Sequence, residues 1–342
     1  MSVQNIATTT FTYDIRGRLT RTTDALGQSE TFTYDQNSLL RTRTDRNGTL
    51  FYYVHDHMGR VIYTLLFENG VTHRYTLATA YHFSGAVSVR WTTSGHAIFY
   101  SYDAQGRLIT INESTGVAVS YVYNTANNVT HFATLINGAF HKSETIHYDI
   151  AQRPQRVETS GTWGNVTLVT YTYDANGNRT SAVLGNGVRT DYTFNLANQV
   201  TSVINRHGNT ILSRFDYTHF LDGNVHQKTE QYQDTSLNRT ITYTYDLARR
   251  LTQEQVTGSG VGTQSFMFDT RGNRTTSRRT GTYNSTTTYT YDLNNRLMTT
   301  LTVAGAMRVV TTFTYDRNGN QLTSTSGVTV ETRTYNVLVL QL

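Results

Sequence analysis

A tyrosine followed by an aspartate returns along this 342-residue chain so often that few architectures remain open to it. The pair or an evident variant stands at Tyr13-Asp14, Tyr34-Asp35, His55-Asp56, Tyr75-Thr76, Tyr102-Asp103, Tyr123-Asn124, Tyr148-Asp149 and Tyr173-Asp174. It continues at Phe194-Asn195, Tyr217-Thr218, Tyr245-Asp246, Phe268-Asp269, Tyr291-Asp292, Tyr315-Asp316 and Tyr335-Asn336. These returns, mostly 20 to 25 residues apart, define one continuous array over residues 1–342, about 14 hairpin units, where length alone would suggest several domains. Two intervals are longer, 75 to 102 and 217 to 245, and each predicts an irregular unit with an extended hairpin or loop.

The unit at Tyr173 shows what one repeat does. Tyr171 and Tyr173 alternate with Thr170 and Thr172, so a period of two puts rings on one face and hydroxyls on the other. Thr and Tyr suit a pleated, half-buried surface. The following Asp174-Ala175-Asn176-Gly177 predicts a tight turn, with Asn176 and Gly177 at positive φ and Asp174 accepting from backbone N–H groups just ahead. A second turn closes the other end of a unit, as at Asn47-Gly48, Asn69-Gly70, Thr115-Gly116, Asn137-Gly138, Asn186-Gly187, His207-Gly208 and Ala304-Gly305. With one proline, 25 glycines and no 3.6-residue apolar period, the chain reads as an all-β meander of about 28 short strands with almost no helix. Twist and free edges disfavour a flat sheet of that width, which predicts a spiralling, barrel-like or shell-like sheet with rings stacked within.

The net charge of +5 is spread rather than clustered. Arg18, Arg60, Arg107, Arg179, Arg250 and Arg296 read as equivalent repeat positions, partners for the turn Asp rather than a nucleic-acid face. Lack of cysteine removes disulfides, thiolate zinc sites and thiol nucleophiles. No run approaches the roughly 18 apolar residues of a membrane span, and Met1–Thr10 lacks the apolar core of a secretory signal.

The motif Tyr-Asp-x-x-Gly-Arg-Leu, present as Tyr13-Asp14-Ile15-Arg16-Gly17-Arg18-Leu19 and Tyr102-Asp103-Ala104-Gln105-Gly106-Arg107-Leu108, resembles the YD repeat of the RHS family. That family includes bacterial polymorphic toxins, wall-associated proteins, the C component of insecticidal toxin complexes and animal teneurins. The resemblance runs from about Thr10 to Tyr335, through Tyr34-Asp35, Tyr173-Asp174 with Gly177, Tyr245-Asp246, Tyr291-Asp292 and Tyr315-Asp316. Some units read as decayed: Gly becomes Ser38, Gln152, Asn198, Arg249 or Asn295, and Tyr becomes His55 or Phe194. The resemblance implies a hollow β-shell spiralling around a cavity, which in toxin relatives holds an effector polypeptide. It also implies a bacterial parent that is secreted or displayed at the cell surface. The chain ends at Asn336-Val337-Leu338-Val339-Leu340-Gln341-Leu342 without a self-cleaving segment or effector domain, so neither activity is expected of it.

Candidate chemistry is sparse. Repeated Asp residues at turns read as structure, and no metal or cofactor is expected. Asp174 to Asn178 and Asp316 to Asn320 are spaced somewhat like a calcium loop, but the glycine falls early and Gly185 and Gly327 stand where the closing glutamate belongs. His55-Asp56-His57 offers two imidazoles on one strand face without a third ligand. No Gly-x-Ser-x-Gly elbow is present. The interval 72 to 100 concentrates His73, Tyr75, Tyr81, His82, Phe83, Trp91 and His96, and is the candidate surface for glycan or protein contact.

The reading is a non-enzymatic shell or scaffold module that encloses or presents a tethered effector. A second reading is an adhesin-like module binding cell-surface glycan or protein, and a third is an orphan remnant of a toxin locus. Uncapped terminal hairpins predict self-association through edge strands, with Val337–Leu342 as an aggregation-prone edge.

Overall fold

The computed structural model describes residues 7–161 and 164–335. The expected turn at Tyr335-Asn336 and the tail Val337–Leu342 therefore lie wholly or partly outside the described residues. The fold is all-β: the described residues form 29 strands of one antiparallel sheet, with one 3-10 turn among them at Thr235–Leu237. Register runs between strands consecutive in sequence, as in Thr170–Tyr173 against Arg179–Val183. By contact density the chain divides into two units. The first comprises residues up to Ala80, Arg90–Gly95 and those from Ser265 onward; the second comprises Tyr81–Val89 and His96–Gln264.

Alternation along each strand sets the two faces. In Ser285–Tyr291, Tyr289 and Tyr291 are half-buried while Thr288 and Thr290 are exposed. The Thr face carries cross-strand hydroxyl pairs, among them Thr33 with Thr42, Thr290 with Thr299 and Thr314 with Thr323. Buried apolar residues are few among the described residues: Phe51, Leu66, Ala78 and Ile241. The accessible surface is 21595 Å², against about 14,000 Å² for a compact globular chain of this mass. Rings and hydroxyls alike keep contact with water, as in a sheet one layer thick.

Most repeat hairpins contain a β-bulge that alternation alone did not reveal. Tyr13 lies opposite Leu19, yet Thr12 lies opposite Arg21, so Thr20 is the extra residue. The same slip follows Tyr34, His55, Tyr102, Tyr123, Tyr148, Tyr173, Phe194, Tyr245, Tyr291 and Tyr315. A bulge of this kind bends the strand and strengthens its twist.

Two repeat assignments change. Tyr75 sits mid-strand in Thr72–Tyr81 opposite Leu66, and the turn begins at His82, whose N–H donates to Ala86 O. Tyr217 likewise sits mid-strand opposite Lys228, and the turn begins at Phe220, whose N–H donates to Asn224 O. The repeat pairs there are Tyr81-His82 and His219-Phe220 rather than Tyr75-Thr76 and Tyr217-Thr218. Ten-residue strands carry the chain past the earlier tyrosine before it turns, so the long intervals at 75–102 and 217–245 close up to ordinary repeats.

Candidate functional site

The site that recurs is the turn. At Asp14, Oδ1 accepts from the backbone N–H of Arg16 (2.9 Å) and Arg18 (3.0 Å), and Oδ2 accepts from Arg18 Nε (2.7 Å). The Asp14 N–H donates to Arg18 O and Gly17 N–H donates to Asp14 O, closing a five-residue loop. The same Asp–Arg pair joins Asp56 to Arg60, Asp103 to Arg107, Asp149 to Arg153, Asp246 to Arg250 and Asp292 to Arg296. Arg179 is not of this set, because it lies five residues after Asp174 instead of four. Asn178 takes the place, its Nδ2 2.9 Å from Asp174 Oδ2, while Arg179 sits over the rings of Tyr171 and Tyr192. Where Asn replaces the turn Asp, the acceptor survives: Asn124 Oδ1 takes N–H donors from Ala126 and Asn128.

These donors act on acidity. The backbone N–H of the residue four places on, and then its side chain, hold Asp149 below the ordinary carboxyl value, and the same N–H is the largest influence at Asp14 and Asp246. At Asp56 and Asp103 desolvation is the largest single influence and pushes upward, but the donors together still hold the carboxyl low.

Consecutive turns are tied to one another by the next tyrosine. Tyr34 OH donates to Leu19 O (2.8 Å), Tyr123 OH to Leu108 O (2.7 Å), Tyr173 OH to Pro154 O (2.7 Å) and Tyr315 OH to Leu297 O (2.8 Å). The accepting carbonyl belongs to the residue just before the bulge. Over the same ring lies the preceding turn's arginine: Arg18 over Tyr34, Arg107 over Tyr123, Arg153 over Tyr173 and Arg296 over Tyr315, at 4.4 to 5.0 Å from the centroids. Arginine lids and hydroxyl bonds thus do what ring-on-ring stacking was expected to do, because the guanidinium occupies the face a second ring would need. Tyr123→Phe should cost about 1 kcal/mol by stranding the Leu108 carbonyl; urea titration measures it, and an unchanged midpoint would remove the hydroxyl from the account.

Two turns lack both the Asp or Asn acceptor and the arginine, and set a ring against the next tyrosine instead. His82 and Phe220 stand where other repeats have Asp, followed four residues on by Ala86 and Asn224. The His82 ring meets the next repeat tyrosine, Tyr102, edge-on at 5.7 Å, and Phe220 meets Tyr245 edge-on at 6.2 Å. There a ring takes the place beside the tyrosine that an arginine holds at Tyr34, Tyr123, Tyr173 and Tyr315.

The glycine replacements are not decay. Only the fourth turn position takes positive φ, so Gly177 does and Asn176 does not. Ser38, Asn127, Gln152, Asn198, Arg249 and Asn295 hold that strained conformation without being glycine. Each bonds back to the preceding turn: Arg18 Nη1 to Ser38 Oγ, Arg107 Nη1 to Asn127 Oδ1, Asn128 Nδ2 to Gln152 Oε1, Asn178 Nδ2 to Asn198 Oδ1, and Asn273 Nδ2 to Asn295 Oδ1. Arg249 reaches Asp222 at 3.8 Å. The side chain offsets the strain by joining neighbouring repeats.

The residues of interval 72 to 100 are distributed between the two units. In the first, His73 Nε2 is 2.8 Å from Thr76 Oγ1 and its ring is edge-on to Phe67, Tyr75 is half-buried, and Trp91 is 37% exposed. In the second, His82 Nε2 is 3.3 Å from Tyr100 O, Phe83 is fully exposed, and Tyr81 and His96 are half-buried. Among the described residues no group of three or more His, Asp or Glu side chains is arranged to hold a metal ion, and His55 pairs in register with Val61. A polar cavity of about 160 Å³ in the second unit is lined by Thr145, Glu158, Thr159, Ser160, Asn165, Val166 and Thr167.

Against known families, residues 2–153 match the teneurin YD-shell and residues 173–210 match the RHS repeat. Over those residues the chain is built of RHS/YD repeats. Its fold is similar to the crystal structure of TcdB2-TccC3-Cdc42, with a TM-score of 0.77 at 13% identity, covering 95% of this chain and 18% of that one. TcdB2-TccC3 without its hypervariable C-terminal region gives 0.76 at 13% identity, covering 94% and 18%. TcdB2-TccC3-TEV gives 0.65 at 15%, covering 92% and 17%. The YD-repeat chain thus spans under a fifth of the length of the structures it resembles. No curated protein matches it in sequence.

Proposed function

We propose that this YD-repeat chain is a non-enzymatic stretch of shell wall, which in a longer parent delivered outside the producing cell encloses a tethered effector polypeptide. The observation that carries the reading is the thinness of the fold. An accessible surface of 21595 Å² with four buried apolar residues among those described suits a wall wetted on both faces and suits a solid, substrate-gripping domain poorly. The repeated turns support it, since their carboxylates are engaged by backbone N–H groups and by Arg or Asn side chains of the same turn. The fold similarity to TcdB2-TccC3 supports it also, over nearly the whole chain.

Small-angle X-ray scattering on the monodisperse chain tests the reading. A compact chain of this length has a radius of gyration of about 20 Å. A distinctly larger value with solvent density at the particle centre is expected. A radius near that of the compact chain, with a filled interior, would overturn enclosure.

A further inference from the structure

Within the first unit, turns from opposite ends of the sequence meet. Asn294 Nδ2 donates to Asp24 Oδ2 and Asn318 Nδ2 to Asp45 Oδ2, each at 2.9 Å. In return Asn47 Nδ2 donates to Asp316 Oδ2 at 2.9 Å, and Asn47 Oδ1 accepts from the backbone N–H of Arg317 (3.0 Å) and Asn318 (3.3 Å). Asp24 and Asp45 are 8% and 6% exposed, and their Oδ1 atoms already cap their own turns through Gln28 N–H and Thr49 N–H. Each of the three side-chain hydrogen bonds across this clasp sets an amide nitrogen against a carboxylate.

Two of the three amides belong to Asn-Gly sequences, Asn47-Gly48 and Asn318-Gly319. In such a sequence the glycine nitrogen can attack the asparagine Cγ. The Cγ–Nδ2 bond breaks, ammonia leaves, and a succinimide forms that water opens to aspartate or isoaspartate. The closed turn opposes this chemistry, because Gly48 N–H is bonded to Asp45 O (3.0 Å) and Gly319 N–H to Asp316 O (3.1 Å), while both side-chain amides are tied.

We propose that the clasp is a one-way chemical latch: opening exposes Asn47 and Asn318 to deamidation, and the resulting carboxylates, set against Asp316 and Asp45, prevent it from closing again. The partner, rather than the turn position, makes the change matter. Asn176-Gly177 occupies the same turn position but faces Asn198 Oδ1 at 3.2 Å, and Asp222-Gly223 already carries a carboxylate there, with Arg249 beside it. A carboxylate formed at Asn318 or Asn47 faces the carboxylate of the buried Asp45 or of Asp316 and is repelled, whereas at Asn176 the neighbour is an uncharged amide and at Asp222 an arginine.

The test uses the full chain, aged at mildly alkaline pH, with peptide mass spectrometry to locate deamidation and hydrogen exchange to read the turns. Molecules converted at Asn47 or Asn318 should exchange the Gly48 and Gly319 amides about tenfold faster than unconverted ones. Asn47→Asp with Asn318→Asp should reproduce this without ageing, and Asn176→Asp should leave both turns protected. Asp45→Asn combined with Asn318→Asp reverses one pair and should restore protection lost in Asn318→Asp alone. Unchanged protection in the doubly substituted Asn47→Asp, Asn318→Asp protein would overturn the latch. If that protein does not fold, the single Asn318→Asp and its reversed pair decide, and failure of the reversal to restore protection would overturn the proposal equally.

Discussion

Glu230→Gln should lower the stability of the chain by about 3 kcal/mol, the largest effect expected of a single isosteric change. The Glu230 side chain is 3% exposed and receives Lys228 Nζ at 2.7 Å, Arg239 Nε at 2.6 Å and Tyr232 OH at 3.0 Å. Desolvation, the largest single influence, pushes its carboxyl upward, but Arg239, Lys228 and Tyr232 together bring it from 4.5 down to about 2. Lowered in the folded state, it contributes stability that is present above the unfolded value and lost as pH falls through about 2. Glutamine keeps the volume but leaves Lys228 and Arg239 converging without a counter-charge, and Lys228 is held in place over the Phe215 ring at 4.8 Å. Denaturant unfolding of the two proteins measures the cost. A difference below about 1 kcal/mol would mean that water reaches the cluster and screens it.

Acid should unfold the array steeply. Asp14, Asp56, Asp103, Asp149, Asp174, Asp246, Asp269 and Asp316 all have carboxyls held below their ordinary value of 3.8. For a depressed carboxyl the sign is definite: its stabilisation is complete above the unfolded value and disappears as pH falls through the folded one. The window therefore opens near pH 4 and deepens below it. Protonation removes an acceptor for two backbone N–H groups and a side chain at turn after turn, and contributions from separated turns add. Melting curves between pH 7 and pH 2 should show a midpoint nearly constant down to about pH 5 and collapsing beneath pH 4. Molar salt at neutral pH should not reproduce the collapse, since hydrogen bonds to backbone N–H are not screened as exposed ion pairs are. A melting point that holds to pH 3 would deny the turn carboxylates the role assigned to them.

Much of this fold can be read in the chain because its signals are local. Alternation of Tyr with Thr and the Asp-x-x-Gly spacing specify strand, turn and face within seven residues, and the near-absence of helix follows from the same pattern. What escaped the pattern depends on partners about 20 residues away. Ser38, Gln152 and Asn198 look like eroded glycines until the donor from the previous turn is seen. His82 and Phe220 look unlike turn residues, so Tyr75 and Tyr217 were the nearer match to the motif. Arg179 was misplaced by one position, which in a turn is the difference between reaching the Asp and reaching a ring. The clasp was out of reach altogether, because nothing local to Asp45 points to Asn318.

The strained non-glycine positions carry a consequence for how such chains can change. A residue that bonds the preceding turn needs a donor there: Asn178 meets Asn198, Asn273 meets Asn295, and Arg18 meets Ser38. Hairpins that look interchangeable by motif are therefore not free to be shuffled. A cut and splice that falls inside one hairpin preserves both of its handshakes only when the donor segment brings the matching half. A crossover that puts glycine in place of Ser38 or Asn127 removes a side-chain acceptor from Arg18 or Arg107, and each arginine then keeps only its own Asp and a backbone carbonyl of the following turn. The order of the repeats is thus held by side-chain junctions between hairpins as well as by the strands within them.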